Sequence, residues 1–200
     1  ANLCGALEFS ESISSVGTQP IIGTQINIKY KDYYGLVPLI AKNYIGYKNI
    51  IELSSKSYLE NDSFNDPHCK FEDLIHFKEG IIILSGSINS LSGSLFNKGL
   101  LEELSSIYQA LSENFADNFY IEIQRHNDAN EKQFESYNLE QSKNLNLPII
   151  ASNEVFYIDK SMHEAHDALM CIGQKTYVND GNRNRLSNNH YLKSSDEMIE

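Results

Sequence analysis

Short apolar runs recur along the chain between longer stretches of helical spacing. The clearest helix is 100–115, where Leu100, Leu101, Leu104, Ile107, Tyr108, Leu111 and Phe115 share one face. Weaker versions of that spacing predict helices over 3–14, 46–59, 71–77, 130–145 and 160–172, with Gly17 stopping the first. Apolar runs at 20–28, 36–41, 81–84, 119–124 and 148–151 predict strands, and Pro38 suggests an edge position for the second. Residues 30–35 read as a turn and 60–70, around Pro67, as a loop. The Asn-, Gly- and Arg-rich stretch 173–191 also reads as loop, up to the helix-start signal Ser194-Ser195-Asp196-Glu197. Strands alternating with helices predict an α/β fold with a mostly parallel sheet, in one domain over 1–200. An open sheet and a barrel both fit.

The stretch 147–157 shows where chemistry could sit. Residues 148–151 read as a buried parallel strand that opens at its C-terminal end into Ser152, Asn153 and Glu154. Sites in α/β folds gather at such ends, where loops converge without disturbing the core. Three other polar stretches are read as ends of this kind: Gly23-Thr24-Gln25, Ser85-Gly86-Ser87 and Arg125-His126. In a barrel all four would share one mouth. A metal there needs carboxylates, imidazoles or thiolates. His126 and Glu154 qualify, Gln25 and Ser87 are weak ligands, and Phe156 is none, so composition favours hydrogen-bonded polar packing. His163 and His166 are spaced to share a metal, although a polar helix face explains them as well. His68-Cys69 with His76 offers too few ligands for zinc. The chain has no Gly-x-Ser-x-Gly elbow, no GxxxxGK[ST] loop and no GxGxxG after the first strand.

Charge and composition narrow the partners. With 41% hydrophobic and 22% charged residues the chain is globular rather than disordered. A net charge of −11 makes it a poor surface for nucleic acid and compatible with a protein partner. Arg183 and Arg185 form the one compact basic spot. Cys4, Cys69 and Cys171 are widely spaced and odd in number, which points to a reducing, cytoplasmic compartment. No apolar run approaches the roughly 20 residues that cross a bilayer, so no membrane partner is expected. The start at Ala1 and the helix signal near the other end suggest a piece of a longer protein.

Six stretches, in order, carry a resemblance: Asn2-Leu-Cys-Gly-Ala-Leu-Glu-Phe, Gln19-Pro-Ile-Ile-Gly-Thr-Gln, Ala41-Lys-Asn-Tyr-Ile-Gly-Tyr-Lys-Asn-Ile, Leu84-Ser-Gly, Pro148-Ile-Ile-Ala-Ser-Asn-Glu-Val-Phe-Tyr and Glu164-Ala-His-Asp-Ala-Leu-Met-Cys-Ile. Together they resemble the N-terminal PHP (polymerase and histidinol phosphatase) domain of bacterial DNA polymerase III alpha subunits. The resemblance implies a distorted (β/α) barrel, here incomplete at the N-terminus because the family's first strand would precede Ala1. It implies metal-ligand positions at Gln25, Ser87, His126, Glu154 and Phe156, where metal-binding members carry Glu, Cys, His, Asp and His. Gln, Ser and Phe in three of those places imply a degenerate site: no metal, no cofactor and no catalytic residue in this segment. The resemblance further implies a structural role, docking of a separate proofreading exonuclease subunit, and association with other replicase subunits. DNA contact and Mg-dependent nucleotidyl transfer would belong to the rest of a parent polymerase. The rival implications are a metal-dependent phosphoesterase or 3′–5′ exonuclease that keeps His126 and Glu154 as ligands, and a scaffold that only binds the exonuclease.

Overall fold

A computed structural model describes residues 2–61, 66–183 and 185–199. The chain begins with α1 (Ala6–Ser15), followed by the hairpin β1 (Gly23–Tyr30) and β2 (Tyr33–Ala41), then α2 (Tyr44–Leu59). The short β3 (Cys69–Lys70) and α3 (Phe71–His76) lead to β4 (Ile81–Leu84), α4 (Leu91–Asn97) and α5 (Leu101–Phe115). The chain continues through β5 (Phe119–Ile123), α6 (Glu131–Leu145), β6 (Ile149–Ala151), α7 (His163–Gln174) and α8 (Ser195–Ile199). Of the loops expected over 60–70 and 173–191, residues 62–65 and 184 lie outside the described residues.

The six strands form one sheet in the order β3-β1-β2-β4-β5-β6. β1 runs antiparallel to β2 and β2 to β4, whereas β1–β3, β4–β5 and β5–β6 are parallel. The sheet is therefore mixed, and among the described residues it stays open, with β3 and β6 as its edges. The fold is barrel-like rather than a closed barrel.

Alternation along the strands sends Ile26 and Ile28, Val37 and Leu39, Ile81 and Ile83, and Phe119 and Ile121 to one face. Ile50 and Leu53 of α2, Leu91 and Leu95 of α4, Leu104, Ile107, Tyr108 and Leu111 of α5, and Phe134 of α6 pack in the same core. The stripe expected on α5 is the face that is buried, and Glu102 and Glu103 complement the positive end of that helix. α2 starts at Asn43, whose side chain accepts the Gly46 N–H at 3.0 Å. That turn needs glycine: a Cβ on Gly46 would fall 1.7 Å from the carbonyl oxygen of Gly80.

Several expectations fail for local reasons. The turn over 30–35 is tighter than expected, and Tyr33 to Gly35 already belong to β2. β2 lies inside the sheet despite Pro38. Ala41 donates to Ile22 on the β1 side, so by alternation the Pro38 nitrogen faces β4. It does so one residue past the last paired residues, Leu39 and Ile83, where no ladder bond is lost. β6 pairs in parallel as expected but is exposed rather than buried, Ile149 by 49%, because it is the last strand of the sheet. α4 has no apolar stripe long enough to announce it. It is set by Ser90, which caps the Gly93 N–H, and by the close approach of Gly93 to the Ile88 backbone.

Candidate functional site

The C-terminal ends of β4, β5 and β6 lie along one rim, since these strands are parallel neighbours. Ser85 to Ser87, Arg125-His126 and Ser152 to Glu154 follow those ends. Gln25 reaches the rim differently. It is not at a strand end but within β1, opposite Pro38 and thus level with the C-terminal end of β4. It is half-buried and faces away from the Ile26 and Ile28 side.

The five positions are not gathered into one cluster. The Ser87 hydroxyl accepts the Asn89 N–H at 3.2 Å and its carbonyl accepts the Ser90 hydroxyl at 2.6 Å, within the turn that starts α4. His126 is 1% exposed. Its backbone N–H donates to both oxygens of Glu131, at 2.9 and 2.8 Å, and the Asn127 N–H adds a third bond. Asn153 donates its amide to the Tyr191 carbonyl, which aims its Oδ1 at His126 Nε2, 2.9 Å away, and the Glu154 N–H donates to the same nitrogen at 3.3 Å. Glu154 is half-buried and Phe156 is 46% exposed, its ring 5.3 Å from that of His166 at 23°.

His126, Glu154 and Phe156 meet around a residue that the sequence did not single out. His190 is fully buried, with its ring stacked on His126 at 4.0 Å and 4° and tilted over Phe156 at 5.3 Å. Its Nδ1 lies 3.1 Å from the Glu154 carbonyl oxygen, and its own carbonyl accepts the Phe156 N–H at 2.9 Å. Its Nε2 lies 3.5 Å from Oδ2 of Asp128, an ion-pair distance, and makes no hydrogen bond. Burial alone would pull the His190 pKa down, but the Asp128 carboxylate outweighs it and the net direction is up. The His190 imidazole beside it in turn holds Asp128 below the usual carboxylate range. Asp128 follows β5 in a turn where Asn127 and Asn130 both take positive φ, 64° and 62°, a conformation that Asn tolerates. An Asn-Asp-Ala-Asn turn after a strand was the available signal; its distant partner at 190 had none.

Behind the rim, Glu122 of β5 is 5% exposed. Its Oε1 accepts from the Ser152 hydroxyl and from Gln124 at 3.0 Å, while Oε2 has no side-chain hydrogen bond among the described residues. Burial pushes its pKa up, against the two hydrogen bonds, and the Glu154 charge adds to the rise. The folded carboxyl thus keeps its proton to higher pH than the unfolded one, whose value is about 4.3. Stability falls as pH rises from that value through the raised one. Glu122→Gln removes the charge, so its melting temperature is expected above the parent's at about pH 8, with the gain gone below about pH 4. Thermal melts across this range check it, and a gain that grew toward acid would contradict it.

The other candidates resolve as structural. His163 Nε2 lies 3.1 Å from the Leu186 carbonyl, and His166 packs its ring on Phe156 and Tyr157, so the two do not share a ligand point. Burial pushes the Cys69 thiol up to about 11, and it donates to the Leu53 carbonyl. His68 bonds the Asp66 carbonyl and His76 packs on Phe77. The basic spot is neutralised by α7: Arg183 grips both oxygens of Asp167, which holds that carboxylate low, and Arg185 pairs with Glu164 at 2.8 Å. Among the described residues no helix is long and apolar enough to cross a membrane.

Comparison with known proteins places the chain in a family. The PHP domain family model matches residues 1–126. The chain is 38% identical over 200 residues to the DNA polymerase III subunit alpha of Rickettsia conorii, covering all of the chain and 17% of that protein. It is 32% identical to the subunit alpha of Caulobacter vibrioides over 206 residues, covering 99% of the chain and 18% of that protein. The Vibrio cholerae subunit alpha gives 32% over 203 residues, covering all of the chain and 18% of that protein. The chain thus spans about a sixth of the length of these relatives. On these matches the chain belongs to the PHP domain family, and it corresponds to the PHP region of DNA polymerase III alpha subunits.

Proposed function

We propose that this segment is a non-catalytic PHP module of a replicative DNA polymerase III alpha subunit. The observation that carries the reading is the match of this whole chain to about a sixth of such subunits, combined with Gln25, Ser87 and Phe156 at three of the five positions where the resemblance places metal ligands. Phe156 has no lone pair to offer and rests half-exposed against His166. Ser87 is engaged in the turn that opens α4. These residues do not fit the family's metal cluster, and no reaction step is assigned to it. The parent polymerase would carry its Mg-dependent nucleotidyl transfer and its DNA contacts on other parts of the chain, in the cytoplasm. The acidic balance of the segment, −11, suits a protein-facing module, and we assign it docking of the proofreading exonuclease subunit.

The full-length chain tests this. It is expected to extend a primed template and to co-elute with its exonuclease subunit in size-exclusion chromatography. Freed of that subunit, it is expected to release no 3′ nucleotide, and Phe156→His alone is expected to leave that unchanged, because Gln25 and Ser87 still stand in ligand positions. Exonuclease turnover that appears in the single variant would sink the non-catalytic reading.

A further inference from the structure

We propose that the residues following Glu200 in the parent chain carry on the helix begun by α8 and lie in the groove between β6 and α6, as an amphipathic segment of about two turns. The proposal rests on the preceding reading only in taking this chain as one part of a longer subunit.

The groove is the uncovered end of the core. Ile149 and Ala151 of β6 stand in register with Ile121 and Ile123 of β5. Side chains in register on neighbouring strands leave the sheet on the same side. Ile121 is fully buried in the helix-faced core, so Ile149 and Ala151 extend that face by one strand. Both are nevertheless exposed, as is Leu139 on the adjoining α6. The helix that follows β6 does not cover them: α7 is held elsewhere, with His166 packed on Phe156 and Tyr157. The result is a groove of about 620 Å³, whose apolar lining is Ile123, Leu139, Ile149, Ala151, Met198 and Ile199.

The start of the occupant is already seated there. α8 opens on a capping box, in which the Glu197 N–H donates to the Ser194 hydroxyl at 3.3 Å and the Ser194 N–H donates to the Glu197 carboxylate at 2.8 Å. The Tyr191 hydroxyl donates to that carboxylate at 2.8 Å, and Lys193 donates to the Arg125 carbonyl at 3.3 Å, which ties the helix start to the sheet rim. Nucleating a helix is unfavourable and is offset only by further turns, so a capped helix of five residues is marginal alone. Met198 and Ile199, the apolar residues of α8, are exposed and line the groove. Apolar residues at spacings of three and four beyond them would carry that stripe over Leu139 and Ile149. β6 has three residues and spans roughly 10 Å, a length that a helix rising about 1.5 Å per residue covers in about seven residues.

Size favours the chain's own continuation over a separate partner. The relatives are about six times as long as this chain. Two helical turns bury far less than the ~1,200–2,000 Å² of a stable interface between separate chains. A segment joined directly to α8 needs no such area, because it meets the groove at high effective concentration.

The test uses the full-length chain carrying Leu139→Cys, with single cysteines scanned through the dozen or so positions after Glu200, oxidised and mapped by mass spectrometry. Cross-links are expected within one chain, at positions three or four apart on one helical face. In hydrogen exchange, Leu139→Glu is expected to speed the amides of α8 and of those positions at least about tenfold, through lost apolar burial. Leu169→Glu, on the exposed side of α7, is expected to leave them unchanged. Parental exchange in β1, β2 and β4 shows that each variant is folded. Absence of cross-links, or cross-links without helical spacing, would overturn the proposal. So would cross-links between two chains, which would make the groove a contact between copies. Protection of α8 that appears only with the exonuclease subunit present would also overturn it, and would assign the groove to that subunit. Loss of exonuclease docking or primer extension, with the cross-links intact, would count against the preceding reading alone.

Discussion

Phe119→Ala is expected to lower the stability of the protein by about 4 kcal/mol, the usual cost of emptying a buried phenylalanine site. Phe119 opens β5, is fully buried, and lies in register with Ile83 of β4. Its ring meets Tyr108 of α5 edge to face, 5.8 Å between centroids. Truncation therefore removes the contact that seats α5 on the sheet as well as the transfer energy of the ring. Tyr108 cannot swing in to fill the gap, because its hydroxyl bonds Asn138 of α6 at 2.8 Å in a buried position. At about 2–4 °C per kcal/mol for a chain of this size, the melting temperature should fall by about 8–16 °C in calorimetry. Phe119→Leu, which keeps most of the volume, should lose less than half of that. A drop below about 1 kcal/mol for the alanine variant would mean that the α5 face is not packed as described.

Gly46→Ala is expected to cost about 3 kcal/mol, at the upper end of overpacking, for the addition of a single methyl group. The added carbon would sit 1.7 Å from the Gly80 carbonyl oxygen and 2.4 Å from its carbon. Neither atom can move freely. The Gly80 carbonyl accepts the Lys42 N–H, and Gly80 itself holds a positive φ of 71° in the turn before β4. The clash is relieved only by lifting the start of α2 off the sheet, which also strains the Asn43 cap. Gly173→Ala is the control: it lies in α7 with nothing within 4 Å of the added carbon, so it should be neutral or slightly stabilising through helix propensity. Equal thermal shifts for the two variants would refute the close approach of Gly46 to Gly80.

Much of this architecture could be read from local pattern. The stripe of α5 and the apolar runs of β1, β4 and β5 answer to spacing alone, because burial on one face enforces it. What spacing does not carry is strand order. Pro38 looks like an edge residue until the pairing of β2 with β4 is seen to stop one residue short of it. The run at β6 reads as buried because Ile149 and Ile150 are apolar, but its place at the end of the sheet exposes both. The rim was legible in part. His126 and Glu154 stood out as ligand-grade residues at strand ends, and Gln25, Ser87 and Phe156 through the family resemblance. Asp128 and His190 were hidden, since one sits in an ordinary turn and the other in a stretch that reads as loop, and only the fold brings them together.

The buried side chains fall into two separate groups, and that division sets how the molecule comes apart. The helix-faced core, from Ile26 to Leu147, is apolar and interlocked through five strands and five helices among the described residues. The stretch from 152 to 199 is anchored through histidine rings, Tyr157, Cys171 and the Arg183–Asp167 pair. Polar anchors of this kind open at lower free energy than a packed apolar core. Amide protons of α7 and of the bridge between Tyr157 and Tyr191 thus exchange through a sub-global opening, while those of β1, β2 and β4 wait for global unfolding. The C-terminal strap is thus expected to behave as a separate cooperative unit that opens while the sheet stays intact.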